Sequence, residues 1–225
     1  MSKEESVLHF TDKESFNKFI SHVHDDAYAE YERFATYFSE TIKKCGPDTF
    51  HTTLSFFNSS KEFVGVITCR DTEDKDDLYL AMSEMLYVPM SIQSALFIVA
   101  NDVRIRKMNK DTNEIDPDAP SQDALTVTYV SDEYCIVYTC PYDVDQDNNV
   151  HWNQSESFVS KIATSSEDLP IGDMVELFFV YSHTNSVGPF TPEEILNYLN
   201  HKGYHFKIIH PENLTKKTKS IGFLV

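Results

Sequence analysis

The spacing of apolar residues changes at Gly46-Pro47, and that change constrains the fold more than any other feature of the chain. Before it, Tyr28, Tyr31, Ala35, Phe38 and Ile42 recur at intervals of three and four, the spacing of one helical face. Lys43 and Lys44 follow, where cations complement the carboxyl end of a helix dipole, and Gly46-Pro47 ends the helix. After it, Phe50, Thr52, Leu54 and Phe56 alternate with His51, Thr53 and Ser55, which predicts a half-buried strand. A chain with both patterns must pack helix against sheet.

The remaining segments extend this reading. Thr11 to Glu14 forms a capping box with Phe10 as its staple, and Phe16, Phe19, Ile20 and Val23 continue as a helical face. Residues 63–69 are nearly all apolar and predict a strand buried on both faces. Acids at 71–77 precede Leu78, Ala81, Met82, Met85 and Leu86, the inward stripe of a helix that Pro89 ends. A central strand starts at 95–99 and extends toward Ile105. A hairpin is expected from 124–130 and 134–140, followed by a turn at 145–149 leading into 150–152. Met174 to Tyr181, 204–209 and 221–225 read as further strands. Thr191 caps a helix with Pro192 at its first position, and Gly203 stops it. These patterns predict an α+β fold, a single domain of residues 1–225 with a mixed or mainly antiparallel sheet and about four helices. The polar segment 107–123, with Pro117 and Pro120, is the only candidate internal boundary.

The totals narrow the function classes. No apolar h-region opens the chain, and the longest apolar run, near 95–100, falls far short of the roughly 20 residues of a membrane helix. A soluble, cytoplasmic protein is expected, so the sequons at Asn58, Asn153 and Asn213 read as chance matches. Cys45, Cys69, Cys135 and Cys140 show no CxxC spacing and read as free thiols, mostly buried. Net charge is −17, which opposes direct binding to nucleic acid or anionic membranes and favours a protein partner with a basic surface. The charge is uneven, because residues 200–225 carry five Lys and one Glu.

Motifs with local spacing are missing. No two of the six glycines lie within ten residues of each other, which excludes the P-loop and the dinucleotide fingerprint. No GxSxG, HExxH or kinase set occurs, and no cofactor is implied. Asp143, Asp145 and Asp147 match positions 1, 3 and 5 of a calcium loop, but Asn148 stands where Gly is needed and Gln154 where Glu is needed. An acidic hairpin turn is the expected reading. His22, His24, Asp25 and Asp26 are metal-ligand types. In continuous helix, however, the two histidines point about 200° apart, and a polar helix junction is expected. Cys135 and Cys140, five apart in a strand, face opposite ways. His201, His205 and His210 straddle Gly203 and read as scattered polar surface. Acids at 71–77 and 111–123 lack a phosphate-like ladder, and solvated loops or helix caps explain them. Residues 187–195, VGPFTPEEI, resemble the GPF-helix element of GYF-like adaptor modules, which bind proline-rich peptides. The resemblance covers under a dozen residues and lacks the upstream tryptophan cluster; a capped helix explains the same residues.

Together these readings predict a non-enzymatic, acidic protein-interaction or accessory protein, binding through its acidic surface or through 107–123. The alternative is a metal-dependent hydrolase whose site folding would assemble from His22, His24, Asp25, Asp26, Asp143, Asp145 and Asp147.

Overall fold

A computed structural model describes residues 7–10, 14, 18, 27–105, 120–131, 134–153, 156–161 and 190–214. The class is α+β with a mainly antiparallel sheet. The chain divides into two compact units, one of residues 1–50, 100–128 and 136–159, the other of 51–99, 129–135 and 160–225.

The first unit holds helix α1 (Ala27–Cys45) and strand β1 (Val7–Phe10). It also takes most of β5 (Gln122–Ser131), β6 (Tyr134–Val144) and β8 (Glu156–Lys161), all of β7 (Val150–Trp152), and the end of β4 (Leu96–Ile105). Its strands run in the order β1-β8-β6-β5-β4, with β7 antiparallel to the end of β6. α1 buries Tyr31, Phe34, Phe38 and Ile42. Phe34 takes the place expected of Ala35, which is only half-buried, because the larger ring gains more by leaving water. Gly46, at φ 96°, ends α1 by donating its N–H to Ile42 O at 2.8 Å, a backbone conformation that glycine adopts without a Cβ penalty.

The second unit holds β2 (Thr53–Phe57), β3 (Phe63–Thr68) and helices α2 (Lys75–Met85) and α3 (Tyr87–Ser91). Helix α4 (Pro192–His201), strand β9 (His205–Ile208) and the short α5 (Pro211–Leu214) complete it. Its strand order is β4-β2-β3-β9. Two expectations change here. β2 is buried along its whole length rather than half-buried, whereas β3 has three half-buried positions. As an inner strand, β2 buries small hydroxyl residues that can bond locally: Thr53 Oγ1 donates to His51 O at 3.0 Å and lies 3.5 Å from Thr68 Oγ1 across the ladder. Gly65 permits the close approach of β9, since a Cβ there would lie 2.5 Å from Lys207 O.

Of the expected inward stripe of α2, Ala81, Met82, Met85 and Leu86 are buried and Leu78 is half-buried, while Pro89 lies within α3 and α2 already ends at Met85. Asp74 caps it, accepting from Asp77 N–H at 2.9 Å. α4 starts at a full capping box in which Thr191 Oγ1 accepts from Glu194 N–H, while Glu194 accepts from Thr191 N–H at 2.7 Å. Glu14 and Lys18 are helical, as the first capping box predicts. The expected strands at 174–181 and 221–225 lie outside the described residues, as does 106–119 from the polar segment. β1 and β8 were not expected. Among the described residues, no helix is long and apolar enough to cross a membrane.

Candidate functional site

Asp145 and Asp147 occupy the tight connection between β6 and β7, and Asp143 lies near the end of β6, opposite His151. Asp145 Oδ1 accepts from the N–H groups of Asp147 and Asn149 at 2.9 and 2.8 Å. Its Oδ2 accepts from Asn149 Nδ2 at 2.9 Å and meets His151 Nε2 at 3.0 Å. The Asn149 amide, then His151, hold the Asp145 carboxyl well below the usual range. Lys43 reaches over from α1 and donates to Asp147 O at 3.0 Å and Asn149 Oδ1 at 2.6 Å. Asp143 accepts from Asn153 Nδ2 at 2.9 Å. The Asp145 carboxylate thus folds its own loop, with Asn148 at φ 60°. His22, His24, Asp25 and Asp26 lie outside the described residues. Among the described residues, no three His, Cys, Asp or Glu side chains gather where they could hold a metal ion.

The four cysteines are free, with Cys45 exposed and the others buried. Burial pushes the Cys135 thiol up to about 12 and Cys69 to about 11, so both stay protonated and unreactive at neutral pH. His201, His205 and His210 are all exposed; His201 Nδ1 lies 2.7 Å from Asn197 O in its own helix. Of the sequons, Asn58 is 1% exposed, and its amide donates to Glu62 at 2.7 Å. Asn213 is buried and donates to Phe63 O at 3.0 Å.

Two groupings invisible in the sequence stand out. In the first unit, Tyr142 Oη donates to Asp102 Oδ1 at 2.9 Å. Burial is the main cause that raises the Asp102 carboxyl to about 6; Asp123 and Asp48 add repulsion, while Tyr142 and Arg104 oppose the shift. Arg104 is committed to Asp123 at 2.9 Å. Burial, then Asp102, also raises Tyr142, so the phenol remains protonated. Asp102 can therefore exchange a proton near neutrality, but its bonded neighbour has no matched proton to relay.

This carboxyl binds its proton more tightly in the folded chain than in the unfolded one. Its effect therefore favours folding at low pH and is lost as pH rises from 3.8 through about 6. Asp102→Asn keeps an acceptor for Tyr142. It is expected to stabilise the protein by roughly 1–2 kcal/mol at pH ~7.5, after allowance for partial solvent screening, and by nothing measurable at pH ~3. Thermal melts at both pH values check this; equal shifts at both would reject the electrostatic cause.

In the second unit, Glu84 of α2 is buried beside the α4–β9 turn. Its Oε2 accepts from Tyr204 Oη at 2.5 Å, and its Oε1 pairs with Lys202 Nζ. Tyr204 Oη also lies 3.2 Å from Ala81 O. Lys202 Nζ lies 5.0 Å from the Tyr198 ring. Arg70 forms a two-pronged pair with Asp77 and lies 6.0 Å over the Tyr204 ring. Around this core, large apolar side chains face water: Leu80 is 55% exposed, Tyr198 47% and Tyr87 40%. Leu80 stands one turn before Glu84 on α2, and Tyr87 opens α3. The one available sequence signal was that Leu80 falls off the inward stripe of its helix.

Comparisons with protein-family models, with curated proteins and with solved structures return no match to this chain.

Proposed function

We propose that this protein is a non-enzymatic interaction or accessory protein that binds another protein through an acidic surface. The observation that carries the reading is the exposure of three large apolar side chains, Leu80, Tyr87 and Tyr198, in the second unit of a chain of net charge −17. Single exposed apolar residues are ordinary, whereas several in one compact unit are the material of a docking patch. Tyr at such a patch supplies large contact area at low entropic cost. The surrounding acids supply long-range attraction for a basic partner.

Affinity capture on the immobilised full chain, at about 50 mM and about 500 mM salt, tests the reading. A partner retained at low salt and weakened at high salt is expected. Failure to retain any partner at either salt concentration removes it.

A further inference from the structure

We propose that the free edge of β9 takes up an extended segment of a partner protein, with the pattern apolar, acidic, apolar, as an added antiparallel strand. This goes beyond the reading above and is tested independently of it. β9 stands at the end of the sheet order, with β3 as its partner. Hydrogen-bond parity identifies its free backbone groups. Cys69 donates its N–H to Thr52 O at 2.7 Å, so Cys69, Ile67 and Gly65 turn toward β2, and the alternate residues Thr68, Val66 and Val64 turn toward β9. Ile209 N–H agrees, donating to Val64 O at 2.9 Å. His205 and Lys207, opposite Thr68 and Val66, are therefore the residues bonded to β3. Phe206 and Ile208 turn their N–H and C=O groups outward, and among the described residues these groups have no partner. Such a row is a template for another strand.

The side chains at this edge set the partner's chemistry. Phe206 and Ile208 are half-buried, so apolar residues set opposite them would cover their open flanks. Lys207 lies between them on the other face, exposed and without an ion pair among the described residues. In an added antiparallel strand, the two residues bonded to Phe206 and Ile208 bracket one that faces Lys207 in a non-hydrogen-bonded pair, where side chains come closest. A carboxylate at that position meets the ammonium. A second copy of β9 offers the same apolar alternation but sets Lys207 against Lys207, and like charges directly opposite are destabilising. Residues 215–225 of the chain itself contain no acidic side chain to offer. The net charge of −17 does not outweigh this local pairing, because exposed charges more than about 8 Å apart are largely screened at physiological salt.

Three capped peptides, added to the purified full chain, test the proposal. One carries a central Glu between two valines with threonines outside, the second has Lys in place of Glu, and the third is the Glu peptide N-methylated on both valines. Fluorescence anisotropy is expected to show the Glu peptide bound about 5-fold more tightly than the Lys peptide. The N-methylated peptide, which cannot donate to the edge carbonyls, should bind about 10-fold more weakly than its parent. Lys207→Glu changes an exposed side chain and should reverse the charge preference, with melting curves showing that the variant is folded. Amide hydrogen exchange reads the edge directly. The bound Glu peptide should slow Phe206 and Ile208 and leave His205 and Lys207, already bonded to β3, unchanged. Equal binding of the N-methylated peptide, an unreversed preference in Lys207→Glu, or no slowing at Phe206 and Ile208 would each overturn the proposal. Lysine on an edge strand also serves as a guard against pairing. Self-association of Lys207→Thr, with no peptide bound by the wild type, would leave Lys207 that role alone and sink the docking site.

Discussion

Lys202→Met is expected to destabilise the protein by about 2–4 kcal/mol at pH ~8. The Glu84 side chain is 6% exposed and Lys202 is 40% exposed, so the substitution removes the cation and leaves the carboxylate buried. Stranding one member of a buried pair costs about 3–5 kcal/mol, and water entering beside the exposed partner reduces that figure. Met preserves the packing of the lysine stem, which isolates the charge. The Tyr204 hydroxyl still donates to Glu84, but one neutral donor does not replace an ammonium.

The pH dependence identifies the cause. In the wild type, Glu84 raises the Lys202 ammonium, so its stabilising effect is present throughout neutral pH and fades only in strong alkali. Adding Glu84→Leu should recover most of the loss, since a well-packed apolar pair often equals a buried ion pair. Denaturant titrations of the four chains, followed by circular dichroism, give the coupling, expected near 2 kcal/mol. A loss below about 0.5 kcal/mol at pH ~8 would show the pair to be solvated and unimportant.

Elements with strong local periodicity were the legible ones. The inward face of α2 and the capped start of α4 follow from local rules, because helix caps and stripes involve residues three or four apart. β2 misled, since Thr53 and Ser55 are polar in sequence yet buried in an inner strand. Side-chain polarity marks a water-facing surface only when water is there to face. β8 was missed because Glu156, Ser157 and Ser160 dilute its short apolar pattern, and β1 because Phe10 had another plausible role as a staple.

The groupings around Asp102 and Glu84 could not be read in advance. Asp48, Asp102 and Asp123 belong to a turn and two strands far apart in sequence, and pairing of β4 with β5 brings two of them together. Glu84 meets Lys202 and Tyr204 across more than a hundred residues. Such contacts depend on tertiary arrangement and leave no local spacing to detect. The calcium-like acids show the opposite case: their spacing was visible, and the same spacing suits a turn in which Asp145 bonds backbone N–H groups two and four residues ahead.

Phe38→Ala is expected to cost about 3–5 kcal/mol and to lower the melting temperature by about 10 °C. Phe38 is fully buried, and its ring centroid lies 4.9 Å from Phe50, 5.0 Å from Tyr142 and 5.7 Å from Trp152. Tyr142 and Trp152 also face each other at 5.9 Å across the β6–β7 pair. Truncation therefore removes a ring that several others lean on, and edge-to-face contacts worth about 0.5–1.5 kcal/mol each go with it. Rigid neighbours on α1, β6 and β7 limit how far the gap can close. Trp152 is the single tryptophan and is 37% exposed, so its fluorescence reports on this cluster directly. Its emission should move to longer wavelength in Phe38→Ala even before unfolding, as water reaches the indole face that Phe38 covers. Phe38→Leu fills part of the gap and should lose less than half as much stability with a smaller spectral shift. A folded Phe38→Ala protein with wild-type emission and a melting temperature within about 2 °C of normal would show that the aromatic cluster does not anchor α1.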